Sequence, residues 1–397
     1  MKIVADENIV AVAEYFRAQG ELVLLPGRSI SAADVRDADA LLVRSITPVN
    51  EALLAGSSVR FVATATSGTD HIDKDYLQQA QIGLASAGGS NANAVVEYCL
   101  AGMAELICRG VFSLQDKTVG IIGFGHVGSA LYRRLTGLGL DCRVCDPFVE
   151  ASSGASGQYP DVSFCTLEQA MQASIISLHT PLTRHTEHAT WHLFDQARID
   201  ALAPGTLFIN AARGAVVDNA ALQRRLAARN DLLTLWDVWE NEPDISPALL
   251  REVTIGTPHI AGYSVEAKRN ASEMNYQSFL QYFGLQDVAA GAASDNQSPR
   301  TQLRLPALHS DGSAGQEARG LKARGLEERA FAECVRAAFD IAAIDTQLRR
   351  GASQGAGAFD GIRRQMAGRR EFSHHVLEAP LSADNRRRLQ ALGFTLS

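Results

Sequence analysis

Several things are scarce in this 397-residue chain, and each scarcity removes a class of protein. It has only six cysteines, scattered through apparently buried segments, which excludes a disulfide scaffold and suits thiols packed in a reducing compartment. Positive charge is not in excess: 37 Lys and Arg stand against 44 Asp and Glu, and the net charge of −7 argues against nucleic-acid and membrane partners. No apolar run is long enough to span a bilayer. The opening Met1-Lys2-Ile3-Val4-Ala5-Asp6 reads as a strand and turn and not as a secretory leader, so a cytoplasmic location is expected. What remains is 46% hydrophobic and 20% charged, ordinary for a soluble protein with room for two or three domains.

One stretch is informative at once. Thr118-Val119-Gly120-Ile121-Ile122 reads as a buried strand, Gly123-Phe124-Gly125-His126-Val127-Gly128 follows directly, and a helical run through Leu135 and a strand Cys142 to Cys145 complete the unit. This is a dinucleotide fingerprint in its required setting. Gly123 permits a tight turn, Gly125 lets backbone amides approach a pyrophosphate, and Gly128 lets the helix pack against the strand. Asp146, 18 positions beyond Gly128, is placed to accept hydrogen bonds from ribose hydroxyls and to repel a 2′-phosphate, so NAD is expected in preference to NADP. Cys142 and Cys145 spell CxxC, but their offset in a strand points them to opposite faces, against a redox or metal role. The loop Thr183 to His188 fits no tetrahedral ligand pattern, and no metal is expected.

Residues 1 to 94 alternate strand and helix: strands at 2–5, 21–25, 40–44, 59–64 and 82–86, helices at 10–19, 49–54 and 74–79. That rhythm implies a parallel sheet covered by helices, with ligands beyond the carboxyl ends of its strands. Those ends carry Arg44-Ser45 and the loop Thr66 to His71, whose amides suit an anion or whose Thr69 and Asp70 cap the next helix. Asn91 and Asn93 read as caps of an apolar helix, Val95 to Arg109, that leads into the nucleotide domain.

Further on, three successive strands end in chemistry. Thr206 to Asn210 leads to Arg213, Leu232 to Trp236 leads through Asp237 to Glu242, and Val253 to Gly256 leads to His259. Beside a nicotinamide, His259 would take the proton of a substrate hydroxyl, Glu242 would fix its tautomer and stabilise the imidazolium, and Arg213 would clamp a carboxylate.

These residues, with Asn210-Ala211-Ala212-Arg213-Gly214 and Thr257-Pro258-His259-Ile260-Ala261-Gly262-Tyr263, resemble the signatures of the D-isomer-specific 2-hydroxyacid dehydrogenases. Met1 to Asn8, Leu42 to Thr47, Ala65 to His71 and Ala94 to Tyr98 point to a narrower branch of that family, acting on a small phosphorylated 2-hydroxy acid. The resemblance covers residues 1 to about 283 strongly. It implies that Arg213, Glu242 and His259 are catalytic, that Ser45, Thr66 and Tyr263 contact substrate, and that Asp146, Thr180, Ala211, Asp237 and Gly262 contact NAD beside the three glycines. Ala87-Gly88-Gly89-Ser90-Asn91 departs from the turn expected there. Expected, then, is an α/β protein with two Rossmann-like, doubly wound parallel-sheet domains. The substrate-binding domain would comprise 1–94 and 257–283, and the NAD-binding domain 95–256. A small α+β domain over 284–397 would be used, by the same resemblance, to form a homodimer. Alternatives are a dehydrogenase for another 2-hydroxy acid, such as 3-phosphoglycerate, or a non-catalytic NAD-sensing protein.

In the tail, Ala289 to Ser298 and Ala314 to Ala323 read as polar linkers. Leu326, Phe331, Val335, Ala338, Phe339 and Ala342 line one face of a helix, a strand is expected at 372–377 and a last helix at 383–392. The pairs Arg349-Arg350, Arg363-Arg364 and Arg369-Arg370 are read as a solvated face, or as arginines of which one pair reaches across a dimer to the substrate phosphate.

Overall fold

The computed structural model describes residues 1–288, 299–305, 316–352 and 355–397. The linker expected at Ala289 to Ser298 lies outside these residues, as do the first two positions of the linker expected at Ala314 to Ala323, whose remainder is helical. Contacts divide the chain into two compact units, Met1–Ala92 with Tyr263–Pro299, and Asn93–Gly262 with Arg300–Ser397.

The first unit is built on five parallel strands, β1 (Lys2–Asp6), β2 (Glu21–Leu25), β3 (Ala40–Val43), β4 (Phe61–Thr64) and β5 (Gly83–Ser86), in the order β2-β1-β3-β4-β5. Alternation along each strand divides the core in two. Ile3, Ala5, Leu42 and Phe61 face Tyr276, Phe279 and Leu280 of the long helix Val265–Phe283. Val4, Leu41, Val43 and Val62 face the short helices that carry Leu53 and Leu77. The helix expected at 10–19 is α-helical only over Val12–Phe16 and closes as a 3₁₀ turn. Asp73, not Thr69 or Asp70, caps the helix Lys74–Gln79, by accepting from the Tyr76 amide.

The second unit carries β6 (Thr118–Ile122), β7 (Asp141–Cys145), β8 (Ile175–Leu178), β9 (Leu207–Asn210), β10 (Leu233–Trp236) and β11 (Ile255–Gly256), all parallel, in the order β11-β10-β9-β8-β6-β7. Helices cover both faces, so β8 and β9 are buried throughout and read as apolar runs without alternation. In each unit the strand order reverses beside the first strand, between β1 and β3 and between β6 and β8. At such a reversal the neighbouring loops diverge and leave a crevice.

The tail adds a three-stranded parallel sheet, β12 (Thr301–Arg304), β13 (His375–Glu378) and β14 (Thr395–Leu396), with helices Gln316–Ala338, Ile341–Gly351, Ala356–Gln365 and Ala383–Ala391. The apolar face expected through Ala342 belongs to two helices, because Asp340 takes the Ala343 amide and starts the second. The strand expected at 372–377 begins only at His375, after a 3₁₀ turn over Phe372–His374.

Candidate active site

The crevice between β6 and β8 receives the fingerprint. Gly123 has φ +92°, and a Cβ there would stand 2.7 Å from the His179 carbonyl oxygen, so the turn admits only glycine. At Gly128 a Cβ would run into the Gly123 carbonyl oxygen, which is how closely the helix lies on the strand. Gly125 differs: a Cβ there would meet nothing within 4 Å, and the helix His126–Gly137 that it caps receives no side-chain hydrogen bond at its N-terminus. Open space over uncapped amides is what a pyrophosphate needs. Asp146 Oδ2 accepts from the Phe124 amide at 2.7 Å and its Oδ1 from the Val149 amide at 3.1 Å, joining the glycine turn to the end of β7. Across the crevice, Thr180 Oγ1 is buried and, among the described residues, has no hydrogen-bond partner, a polar atom that a bound dinucleotide would satisfy. The residues present therefore fit NAD. Behind Thr180, burial pushes His179 down to about 3, so this histidine is neutral and bonds Ser177 Oγ at 2.8 Å.

The next three strand ends carry Arg213, Glu242 and His259, the residues expected from the sequence to be catalytic. Gly214, immediately after Arg213, lies so close to the backbone of Trp239 and Glu240 that no side chain fits, which brings the loop of Arg213 against the loop of Glu242. Ala211 and Arg213 follow β9 within the same loop, and an Arg213 guanidinium nitrogen donates to the Ala212 carbonyl at 2.8 Å. Glu242 Oε2 and His259 Nδ1 are 2.6 Å apart, and Glu242 Oε1 accepts from the Trp239 amide at 2.7 Å. Both carboxylate oxygens are thus engaged, one aiming the other at the imidazole. This leaves Nε2 of His259, the nitrogen not bonded to Glu242, as the end able to take up a proton.

His259 has φ +53°, a left-handed conformation that costs a non-glycine residue roughly 1–3 kcal/mol and persists only where neighbours over-determine it. Here they do. Asp237 is fully buried, and its carboxylate accepts from the Ile260 amide (2.8 Å), the Ala261 amide (2.8 Å) and Thr257 Oγ1 (2.7 Å), while the His259 amide donates to the Asp237 carbonyl at 2.7 Å. Burial raises the Asp237 carboxyl above its usual range, against the pull of His259 and these donors. Trp239 Nε1 donates to the Thr257 carbonyl at 2.9 Å, and Tyr98 Oη lies 2.7 Å from Thr257 Oγ1. Reading the sequence placed Asp237 beside the cofactor; its work in fixing the loop from Thr257 to Gly262 had no signal beyond its position after a buried strand.

Ser45, Thr66 and Tyr263 belong to the first unit. Ser45 is exposed just past β3, beside Arg44, which donates to the buried Asp6 at 2.8 and 3.3 Å across the β1/β3 crevice. Thr66 Oγ1 donates to the Gly68 carbonyl at 3.0 Å and shapes the loop after β4. Lys268 lies 4.9 Å over the ring of Tyr263.

Two of the tail arginines are tied to backbone carbonyls, one of them buried and the other partly exposed. Arg369 is buried, and Arg349 donates to Asp345 and to the carbonyls of Leu250 (2.5 Å) and Val253 (2.7 Å), docking its helix beside β11. Hydrogen-bonding demand of bare carbonyls at element ends, invisible in a run of basic residues, drew them inward. Asn93 likewise does not cap its helix: its amide donates to Glu97 (3.0 Å) and Glu371 (2.7 Å). Burial pushes the Cys142 and Cys145 thiols up to about 12. Among the described residues no group of three His, Cys, Asp or Glu could hold a metal ion, and no helix is long and apolar enough to cross a membrane. A cavity of about 680 Å³ lies at the opposite, amino-terminal end of the sheet, lined by Gly110, Asp116, Lys117, Asn230 and Leu233, away from every motif above.

The family model of the D-isomer specific 2-hydroxyacid dehydrogenase NAD binding domain matches residues 104–261. An NAD⁺-bound 3-phosphoglycerate dehydrogenase from Entamoeba histolytica superposes with a TM-score of 0.60 at 27% identity, covering 72% of this chain and 95% of that one. A D-lactate dehydrogenase from Aquifex aeolicus, solved with NAD and lactic acid, shares the fold at 22% identity and a TM-score of 0.58, over 72% of this chain and 96% of its own. Erythronate-4-phosphate dehydrogenase of Chromohalobacter salexigens is 45% identical over 94% of this chain and 92% of its own, and that of Pseudomonas aeruginosa is 42% identical over the full length of both. The chain therefore belongs to the erythronate-4-phosphate dehydrogenase family, a branch of the NAD-dependent D-isomer-specific 2-hydroxyacid dehydrogenases.

Proposed function

We propose that this chain oxidises 4-phospho-D-erythronate to 2-oxo-3-hydroxy-4-phosphobutanoate with reduction of NAD, a step of pyridoxal 5′-phosphate biosynthesis in the cytoplasm. The observation that carries the reading is the 2.6 Å pairing of His259 with Glu242 at the rim that also presents Arg213. NAD held there would supply the acceptor for the hydride of the carbinol carbon. His259 Nε2 takes the hydroxyl proton, Glu242 holds Nδ1 and stabilises the resulting imidazolium, and Arg213 clamps the carboxylate so that the carbinol carbon is presented in one orientation. Gly123, Gly125, Gly128, Asp146, Thr180, Ala211 and Gly262 hold the cofactor, with Asp237 supporting that side by fixing the loop that carries Gly262. Ser45, Thr66 and Tyr263 hold the substrate.

Residues 1–92 and the helix from Val265 form the substrate domain, Asn93 to Gly262 the NAD domain, and the tail a dimerisation domain of a homodimer. NADH formation measured with 4-phospho-D-erythronate, 3-phospho-D-glycerate and D-lactate, in the parent and in His259→Gln, tests the reading. Preference for phosphoerythronate, reduced about 10²–10⁴-fold in the variant, is expected. Preference for 3-phosphoglycerate, or NAD binding without turnover, would replace it with a related dehydrogenase or an NAD-sensing protein.

A further inference from the structure

Arg369 of the tail reaches the loop that carries His259. Arg369 Nη1 donates to the Ala261 carbonyl at 3.0 Å, and Nη2 donates to the Ala94 carbonyl at 3.0 Å and lies 3.4 Å from Glu97 Oε2. Its guanidinium carbon stands 4.0 Å over the ring of Phe339. Glu97 is held in turn: its Oε1 accepts from the Phe372 amide at 2.8 Å and from Asn93 Nδ2, and Asn93 Oδ1 accepts from Arg134 at 3.1 Å. Burial pushes the Glu97 carboxyl up to about 8, against the pull of Arg369.

The consequence falls on one residue of the loop. The amide of Ala261 is bound by Asp237 and its carbonyl by Arg369, so both polar ends of Ala261 are fixed by buried charged side chains two residues beyond His259. His259 itself sits in the left-handed region, a conformation that relaxes wherever its restraints are loosened. The Asp237 half of the restraint is internal to the sheet; the other half comes from the tail.

We propose that Arg369 is a positioning residue for the dehydrogenase reaction, holding the Thr257–Gly262 loop so that His259 keeps the Nδ1–H tautomer bonded to Glu242. The tail thereby contributes to catalysis through its own chain, apart from any part in assembly. The proposal rests on His259 being the acid–base group, and its test has an arm that needs no substrate. Ring ¹⁵N shifts of histidine-labelled full-length protein, with the His259 signal assigned from His259→Gln, report which nitrogen carries the proton. The parent is expected to show Nδ1–H. Arg369→Met is expected to shift His259 toward a mixture of tautomers, Arg369→Lys to lie between them, and Asn385→Ala, which loosens the tail where Asn385 bonds Glu327, to match the parent.

The second arm is the single-turnover rate of NADH formation with enzyme in excess, a rate constant independent of the folded fraction. It is expected to fall at least about tenfold in Arg369→Met and less in Arg369→Lys, with NADH affinity within about twofold of the parent. Parent-like ¹⁵N shifts in a folded Arg369→Met or Arg369→Lys variant would overturn the proposal. So would a loss of rate that Asn385→Ala reproduces at equal thermal stability. Failure of the parent to turn over phosphoerythronate would instead refute the substrate assignment, and the ¹⁵N arm would still decide the role of Arg369.

Discussion

Alanine at Gly125, Gly128 and Gly137, one at a time, perturbs a single helix in three physically different ways. Gly125 caps the helix with φ −72°, which alanine adopts freely, and its new methyl meets no protein atom within 4 Å. Folding should be untouched, while the methyl occupies the space through which a pyrophosphate approaches the amides. Losing one or two charge-assisted hydrogen bonds, about 1.5–3 kcal/mol each, weakens NADH binding at least roughly tenfold. At Gly128 the methyl overlaps the Gly123 carbonyl oxygen, well inside the 3.0 Å that real Cβ atoms keep. Helix and turn must part by on the order of 1 Å, so both thermal stability and NADH affinity fall. Gly137, near the helix end, has nothing within 4 Å, and alanine there removes only backbone freedom from the unfolded chain. It should stabilise by roughly 0.5–1 kcal/mol with NADH affinity unchanged. Thermal melts and NADH fluorescence titrations of the three variants check the set. Parent-like NADH affinity in Gly125→Ala would refute the route assigned to the pyrophosphate, and unchanged stability in Gly128→Ala would refute the close packing.

Glu242→Gln keeps the shape but removes the charge that stabilises the imidazolium; kcat should fall about a hundredfold or more with NADH affinity retained, measured by steady-state assay and titration. His179 titrates in the unfolded chain near 6.5 but only near 3 when folded, because burial disfavours its charge. Between those values the unfolded chain binds more protons, so stability is present above pH 6.5 and is lost as pH falls, by about 1.4 kcal/mol per unit from this group. A flatter acid limb in the pH dependence of the melting temperature of His179→Asn checks the sign. Arg225, 2% exposed, donates to Asp231 and to the carbonyls of Asp200 and Leu202, so Arg225→Met should cost about 3–5 kcal/mol of stability in denaturant titrations.

Much of the candidate site was legible in the sequence. The glycine turn announces itself because strand, turn and helix are local, and each glycine is required by its own neighbourhood. Arg213, Glu242 and His259 were visible because a parallel sheet delivers the residues just past each strand to one rim, so their order along the chain translates into a place in the fold. Helix ends were harder: whether Asp70 or Asp73 caps a turn, or whether an apolar face continues past Asp340, depends on competition between nearby groups of similar strength.

What tertiary structure alone decided concerns buried charge. Nothing local distinguishes Arg369 from Arg370, or marks Asp237 as the residue that holds three donors of one loop. A charged side chain enters the interior only where distant backbone groups lack partners, and those partners come from residues such as Ala94 and Ala261, far away in the chain. The sequence by itself determined the class of chemistry and the strand ends that present the candidate residues. Packing determined how His259 is held, because that depends on contacts between segments that no periodicity relates.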